Sequence, residues 1–215
     1  VRPSVILFDW DNTLVDAWAG VLAALNDARA AFGLEQWDRP TLLANTRLSL
    51  RDSFPRMFGP DWERARRIFA ETYAREHFDH LVPLPGAGEA LAAAAANGLA
   101  GVVSNKTGKF LRQEAQHLGW ARHCFALVGA GDAARDKPHA DPILLALAAA
   151  RVPPGPAVWY VGDTVTDMQA ARAAGCTAVL VGDAAHEGGL AAFGAAQATP
   201  DLHLPDARAL ALHLP

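Results

Sequence analysis

Short apolar runs that alternate with helical stretches constrain the fold more than any other feature of the sequence. SVILFD (4–9), LAGVVS (99–104), FALVG (125–129), AVWYVG (157–162) and TAVLVG (177–182) have the length and β-branched content of buried strands. Between the later runs lie GKFLRQEAQHLG (108–119), DPILLALAAAR (141–151) and TDMQAARAAG (166–175). The first and last of these close on a glycine that suits a helix C-terminus. AGEALAAAAANG (87–98) is helical by its alanine content. A helix between successive strands is the pattern of a parallel sheet with helical crossovers, so an α/β, Rossmann-like core is expected. The 215 residues, 51% hydrophobic and 20% charged, are enough for one substantial core with an insertion.

The first gap breaks the alternation. Residues 16–82 contain no strand-like run. AWAGVLAALNDARAAFG sets Val21, Leu22, Leu25, Ala28 and Phe32 on one helical face, closed by Gly33. A second long helix is expected from an N-cap at Asp61, with Trp62, Ala65, Phe69, Thr72 and Tyr73 on one stripe. VPLPG (82–86) reads as a stiff return to the core. The expected division is a core of residues 1–15 and 83–215 and a small α-helical cap of residues 16–82. Two hinges would let the cleft between them open and close.

The acidic residues at strand ends carry the chemistry. VILF (5–8) runs directly into DWDNTLVD (9–16). In extended chain, Asp9 and Asp11 face one side and Trp10 the other. Like charges 4 Å apart repel by about 4 kcal/mol at an effective dielectric near 20. A cap or turn explains one such aspartate but not the pair. VGDTVTD (161–167) repeats the pattern, with Asp163 at a strand end and Asp167 in the first turn of a helix. If the two strands are neighbours, four carboxylates converge and need a cation. Oxygen-only ligands select a hard ion, Mg²⁺ first. In VVSNKTG (102–108), Ser104 and Asn105 stand where a helix is expected to start, an arrangement that suits an anion. RDKPH (135–139) places Lys137 on a loop stiffened by Pro138, although a lone loop lysine ordinarily reads as solvated surface.

Taken together, DWDNT (9–13), Ser104, Lys137 and GDTVTD (162–167) resemble the haloacid dehalogenase-like superfamily. Its pattern is DxDxT after the first strand, Ser or Thr after a later one, then Lys, then GDxxxD. The helical insert resembles that family's small cap, and Asn12 departs from the commoner glycine. The resemblance implies that the first strand lies between those ending at Ser104 and Asp163, with the site outside the strands' carboxyl ends. It implies Asp9 as nucleophile toward a phosphate monoester and Asp11 as the acid, then base, of an aspartyl-phosphate reaction. Mg²⁺ would be held by the side chains of Asp9 and Asp163 and the backbone carbonyl of Asp11, with Asp167 helping directly or through water. Ser104 and loop amides would hold the phosphoryl oxygens, with Thr13 and Asn105 as further substrate-binding candidates, and Lys137 would offset charge.

Asp11 also sorts the reaction. Dehalogenating members lack this aspartate, phosphonate-cleaving members replace it and use a cap lysine, and residues 16–82 contain no lysine. The ATPase members read DKTGT. A Mg²⁺-dependent phosphatase is therefore expected, with a sugar phosphomutase or a catalytically idle binding module as alternatives. NTRLSLRDSF (45–54) sits where similar phosphoglycolate phosphatases often read GxPLRDSF, which makes 2-phosphoglycolate the named substrate candidate. Arg47 and Arg51 there would meet a carboxylate or phosphate, or else pair with Asp52 or Asp61 on a solvated helix. Arg47 stands where the usual residue is glycine.

Composition sets further limits. A net charge of −4 leaves no basic surplus for nucleic acid, and no run reaches the ~18 apolar residues of a membrane span. Cys124 and Cys176 form no motif and read as buried thiols of a reducing compartment, so a cytoplasmic protein is expected. The expected partner is a small phosphorylated metabolite, bound by a monomer or homodimer. GAGDAA (129–134) fits a dinucleotide glycine pattern on paper but follows an interior strand and meets Lys137-Pro138. EHFDH (76–80) lacks a third zinc ligand, with Asp79 and His80 expected at an exposed helix end, and HEGG (186–189) reads as a flexible loop without a task.

Overall fold

The computed structural model describes residues 2–46 and 48–214. The chain opens with β1 (Val5–Phe8) and β2 (Val15–Asp16), followed by α1 (Trp18–Ala30), α2 (Arg39–Asn45), α3 (Leu50–Phe58) and α4 (Trp62–Glu76). It returns through β3 (Val82–Pro83) to α5 (Ala87–Asn97), β4 (Leu99–Thr107), α6 (Gly108–His117), β5 (Leu127–Ala130) and α7 (Asp141–Ala150). β6 (Val158–Gly162), α8 (Val165–Ala173), β7 (Thr177–Val181), α9 (Leu190–Ala195) and β8 (Leu202–Leu204) complete it.

Among the described residues the main sheet runs β5-β4-β1-β6-β7-β8, every pair parallel. Alternation along the strands divides the core in two. Ile6, Phe8, Val102 and Val161 face α5 and α6 on one side. Val5, Leu7, Tyr160 and Leu180 face α7 and α8 on the other. Helices on both faces explain why the strands read as continuous apolar runs. The fold is α/β and Rossmann-like, with a helical insert between β2 and β3.

Register delivers the acids to one point. Phe8 is paired with Val102 of β4 and with Val161 of β6, so Asp9 emerges between the ends of both neighbours. The Asp9 N–H still donates to Val161 O at 2.8 Å. The next turn is sharp, with Asn12 at φ 61°, a conformation that asparagine tolerates better than most residues.

The insert is held by its own cluster, in which Leu25, Leu42, Phe54, Phe69 and Tyr73 are buried together with Phe110 from α6. The Phe54 ring lies tilted against Phe58 at 5.0 Å and meets Phe69 edge-on at 5.7 Å. The stripes expected on the two long helices are the faces that pack, although Asp61 makes no side-chain cap and a 3-10 turn precedes α4. Residues 16–82 are not free of strand. β2 and β3 form a two-residue antiparallel ladder, Val15 to Pro83 and Asp16 to Val82, which joins the insert's entry to its exit. β8 was also outside the sequence expectation, and β4 runs past Ser104 to Thr107 through an irregular register against β5.

Phe54→Ala should lower the unfolding free energy by about 3–5 kcal/mol, read from the denaturant midpoint at unchanged slope. A loss under about 1 kcal/mol would mean that this cluster does not hold the insert together.

Candidate active site

Lys137 is the centre of the first cluster. Its side chain is buried, and Nζ donates to Asp9 Oδ1 at 2.8 Å, Asp167 Oδ1 at 2.6 Å and Tyr160 Oη at 2.8 Å. The loop lysine is thus an interior ion, contrary to the ordinary expectation for its type. Tyr160 can accept from it because its own hydroxyl donates to Val103 O at 2.7 Å. Asn105 fixes the loop: its amide donates to Lys137 O and its Oδ1 accepts from Lys137 N, both at 3.0 Å. One Asn105 amide N–H and its side-chain oxygen are therefore used on the protein's own backbone, which makes Asn105 a holder of Lys137.

Asp167 and Asp163 sit at the end of β6. Asp167 Oδ2 accepts from the N–H groups of Asp163 and Thr164, at 3.2 and 3.0 Å, and from the Thr164 hydroxyl at 2.6 Å. This is a capping box at the start of α8. Gly162 is required for it, since a Cβ there would stand 2.5 Å from the Asp167 carboxyl carbon. Asp163 accepts from Asn12 Nδ2 at 2.7 Å and Thr13 Oγ1 at 3.0 Å. His186 Nε2 lies 3.1 Å from the same carboxylate, which pushes the imidazole pKa up. The HEGG loop therefore has a place at the site, and Thr13 is engaged by Asp163.

A second polar cluster, unforeseen in the sequence, surrounds Asp11. Lys106 Nζ lies 2.9 Å from Asp11 Oδ1 as an ion pair, and donates to Glu114 Oε2 and Tyr73 Oη, each at 2.7 Å. Glu114 is fully buried. It also accepts from Trp10 Nε1 at 2.7 Å and Tyr73 Oη at 2.8 Å, with His77 Nδ1 at 3.0 Å. Burial raises the Glu114 carboxyl, but the hydrogen bond from His77 and the Lys106 ammonium outweigh it and hold the pKa at about 2.

A cavity of about 120 Å³ lies over both clusters, between strand ends and insert. Asp9, Asp11 and Ser104 form its floor, and Val21, Leu43 and Phe69 are part of its apolar wall. Trp18 lines it too, and its indole N–H is buried without an acceptor among the described residues. Ser104 Oγ accepts from Lys106 N at 3.2 Å, inside the strand irregularity rather than at a helix start. Arg51 turns to the core instead. It lies 3.2 Å from Asp136 Oδ1 and donates to Ala134 O at 3.2 Å. Arg47 lies outside the described residues.

Carboxylate oxygens of Asp9, Asp163 and Asp167 all lie within 4.8 Å of one another. Burial pushes the Asp9 carboxyl up to about 7, Lys137 opposes that, and Asp167 and Asp163 add to it. Such a set is short of positive charge, and its all-oxygen chemistry fits a hard divalent cation.

Residues 6–181 match the family described as haloacid dehalogenase-like hydrolase. The chain belongs to that family. It is 32% identical over 188 residues to a phosphoglycolate phosphatase of Chromobacterium violaceum, covering 82% of this chain and 84% of that one. It is 34% identical over 188 residues to the N-acetylmuramic acid 6-phosphate phosphatase of Pseudomonas aeruginosa, covering 84% and 82%. A solved haloacid dehalogenase-like hydrolase from Bacteroides fragilis superposes with a TM-score of 0.85 at 20% identity, over 97% of this chain and 100% of that one, and speaks for the fold. Within the haloacid dehalogenase-like hydrolases, this chain is an enzyme of the phosphatase type, phosphoglycolate phosphatase-like in sequence.

Glu114 sets an acid limit on stability. Its folded pKa is depressed from 4.5 to about 2. The stability it contributes is therefore present above pH 4.5 and is lost as pH falls from there through about 2, roughly 3 kcal/mol in all. Glu114→Gln should be less stable than wild type at pH 7, and the difference should shrink across that window. A gap that is constant between pH 6 and about 2 would contradict the assignment.

Proposed function

We propose that this enzyme hydrolyses a small-molecule phosphate monoester through an aspartyl-phosphate on Asp9. The observation that carries the reading is the placement of two carboxylates at one strand end in different company. Asp9 is held by Lys137 beside Asp163 and Asp167, and Asp11 by Lys106 on the opposite flank. The first arrangement points Asp9 into the acidic set, where Lys137 and a bound cation would favour its ionised form. The second suits a proton carrier: burial raises the Asp11 carboxyl, Lys106 opposes that, Glu114 adds to it, and the net shift is upward.

In this reading Asp9 attacks phosphorus while Asp11 gives its proton to the departing oxygen. Asp11 then takes a proton from the water that cleaves the phosphoenzyme. One carboxyl group cannot be bound to phosphorus and carry protons together, which accounts for the pair. Ser104 lies on the cavity floor, where its hydroxyl would meet a phosphoryl oxygen, and Lys137 orients Asp9 and favours its ionised form. Asp9, Asp163 and the backbone carbonyl of Asp11 would hold Mg²⁺. Asp167, whose oxygens already accept from Lys137 and Thr164, would support them. When bound, the ion supplies charge neutralisation for the phosphoryl group.

The insert would form the substrate-facing cap, and the organic half of the substrate would rest against Val21, Leu43 and Phe69. 2-Phosphoglycolate heads the candidates on the strength of the relatives' names. N-Acetylmuramic acid 6-phosphate is the second reading, favoured by the apolar wall and the free indole N–H of Trp18. Phosphate release should be measured on a panel holding both compounds, hexose phosphates and aryl phosphates. Release should stop with chelator, return with Mg²⁺ and fall by more than about 10³-fold in Asp9→Asn. Release that survives Asp9→Asn would contradict the reading, and phosphoryl movement between sugar hydroxyls without release would identify a mutase.

A further inference from the structure

We propose that Lys106 is a positioning residue for Asp11, and that Glu114, gripped by Tyr73 and His77 of the insert, fixes Lys106 in that role. The proposal rests on the reading of Asp11 as the acid for the leaving group. The Lys106 ammonium has three oxygen neighbours. It donates hydrogen bonds to Glu114 Oε2 and Tyr73 Oη, each at 2.7 Å, and faces Asp11 Oδ1 at 2.9 Å. Glu114 is in turn immobilised, because Trp10 Nε1 and Lys106 Nζ reach one oxygen and Tyr73 Oη and His77 Nδ1 reach the other. Trp10 stands in the chain between Asp9 and Asp11, so the same carboxylate steadies the backbone that carries both.

The pH-linked stability of Glu114 does not by itself require a charged set here. Apolar side chains of similar volume commonly replace a buried ion pair at no net loss. What the charged set supplies is direction: one Asp11 oxygen is tied to Lys106, which leaves the other to face the cavity. Tyr73 and His77 lie on α4 or directly after it, and Glu114 on α6. The acid is therefore oriented only when the insert is docked on the core.

The test compares kcat/KM for an alkyl phosphate, whose alkoxide must be protonated, with 2,4-dinitrophenyl phosphate, whose phenolate leaves without a proton. This ratio reports the step in which the leaving group departs and excludes phosphoenzyme hydrolysis. Lys106→Met should lose about 10–100-fold on the alkyl ester and less than about threefold on the aryl ester. Tyr73→Phe, which keeps the ring and removes the hydroxyl, should show the same selectivity at smaller size and guards against a folding defect in the first variant. Asp11→Asn run alongside separates the two claims. If it shows no selectivity between the esters, the acid assignment itself fails. If it is selective while Lys106→Met and Tyr73→Phe lose both substrates equally, or lose neither, the positioning proposal is overturned.

Discussion

Everything at this site depends on a single difficulty, the burial of like charges where β1 and β6 end side by side. Asp9, Asp163 and Asp167 are buried with oxygens inside one small sphere, and the ammonium that reaches two of them is Lys137. A carboxylate taken out of water without a partner costs several kcal/mol, so the surrounding structure is organised to supply partners. Asn105 grips the backbone of Lys137, Tyr160 accepts from its ammonium, Gly162 leaves room for Asp167, and Asp163 and Thr164 offer their N–H groups just before α8. Tuned neighbouring carboxyls in a cleft are a mark of function rather than of fold stability.

The insert meets this problem from the other side. Its helices have their own apolar cluster, and their ends are joined by the β2–β3 ladder. Yet α4 also delivers Tyr73 to a buried carboxylate of the core, with His77 one step beyond it, and Arg51 of α3 pairs with Asp136 of the loop after β5. These contacts describe the insert docked on the core. Opening would take Tyr73 and His77 from Glu114 and Tyr73 from Lys106, leaving one Glu114 oxygen without its hydrogen bonds in a place built to be dry.

Much of this was legible from the sequence, for definite physical reasons. Strand patterns are short and apolar, so acids placed directly after them stand out, and Asp9, Asp11, Asp163 and Asp167 were found that way. Lys137 was found by its place in the pattern, although its burial was not foreseen, because nothing local distinguishes a buried lysine from a solvated one. Glu114 left a signal that went unused: in GKFLRQEAQH it falls on the same face as Phe110, Leu111 and Ala115, all buried. Tyr73 read as one more aromatic of a packing stripe and His77 as part of an idle EHFDH string. Their meaning comes from docking against α6, which periodicity cannot show. Arg51 is the converse case. Its local context pointed toward a substrate, and its tertiary neighbour is Asp136.

If phosphorus passes through a covalent bond to Asp9, the stereochemistry of transfer records it. A phosphate monoester made chiral with oxygen isotopes would be transferred to a suitable acceptor by the enzyme, and the configuration at phosphorus read in the product. Two in-line displacements, first by Asp9 and then by the acceptor, predict net retention. Net inversion would mean a single direct displacement, and Asp9 would then have no role as nucleophile.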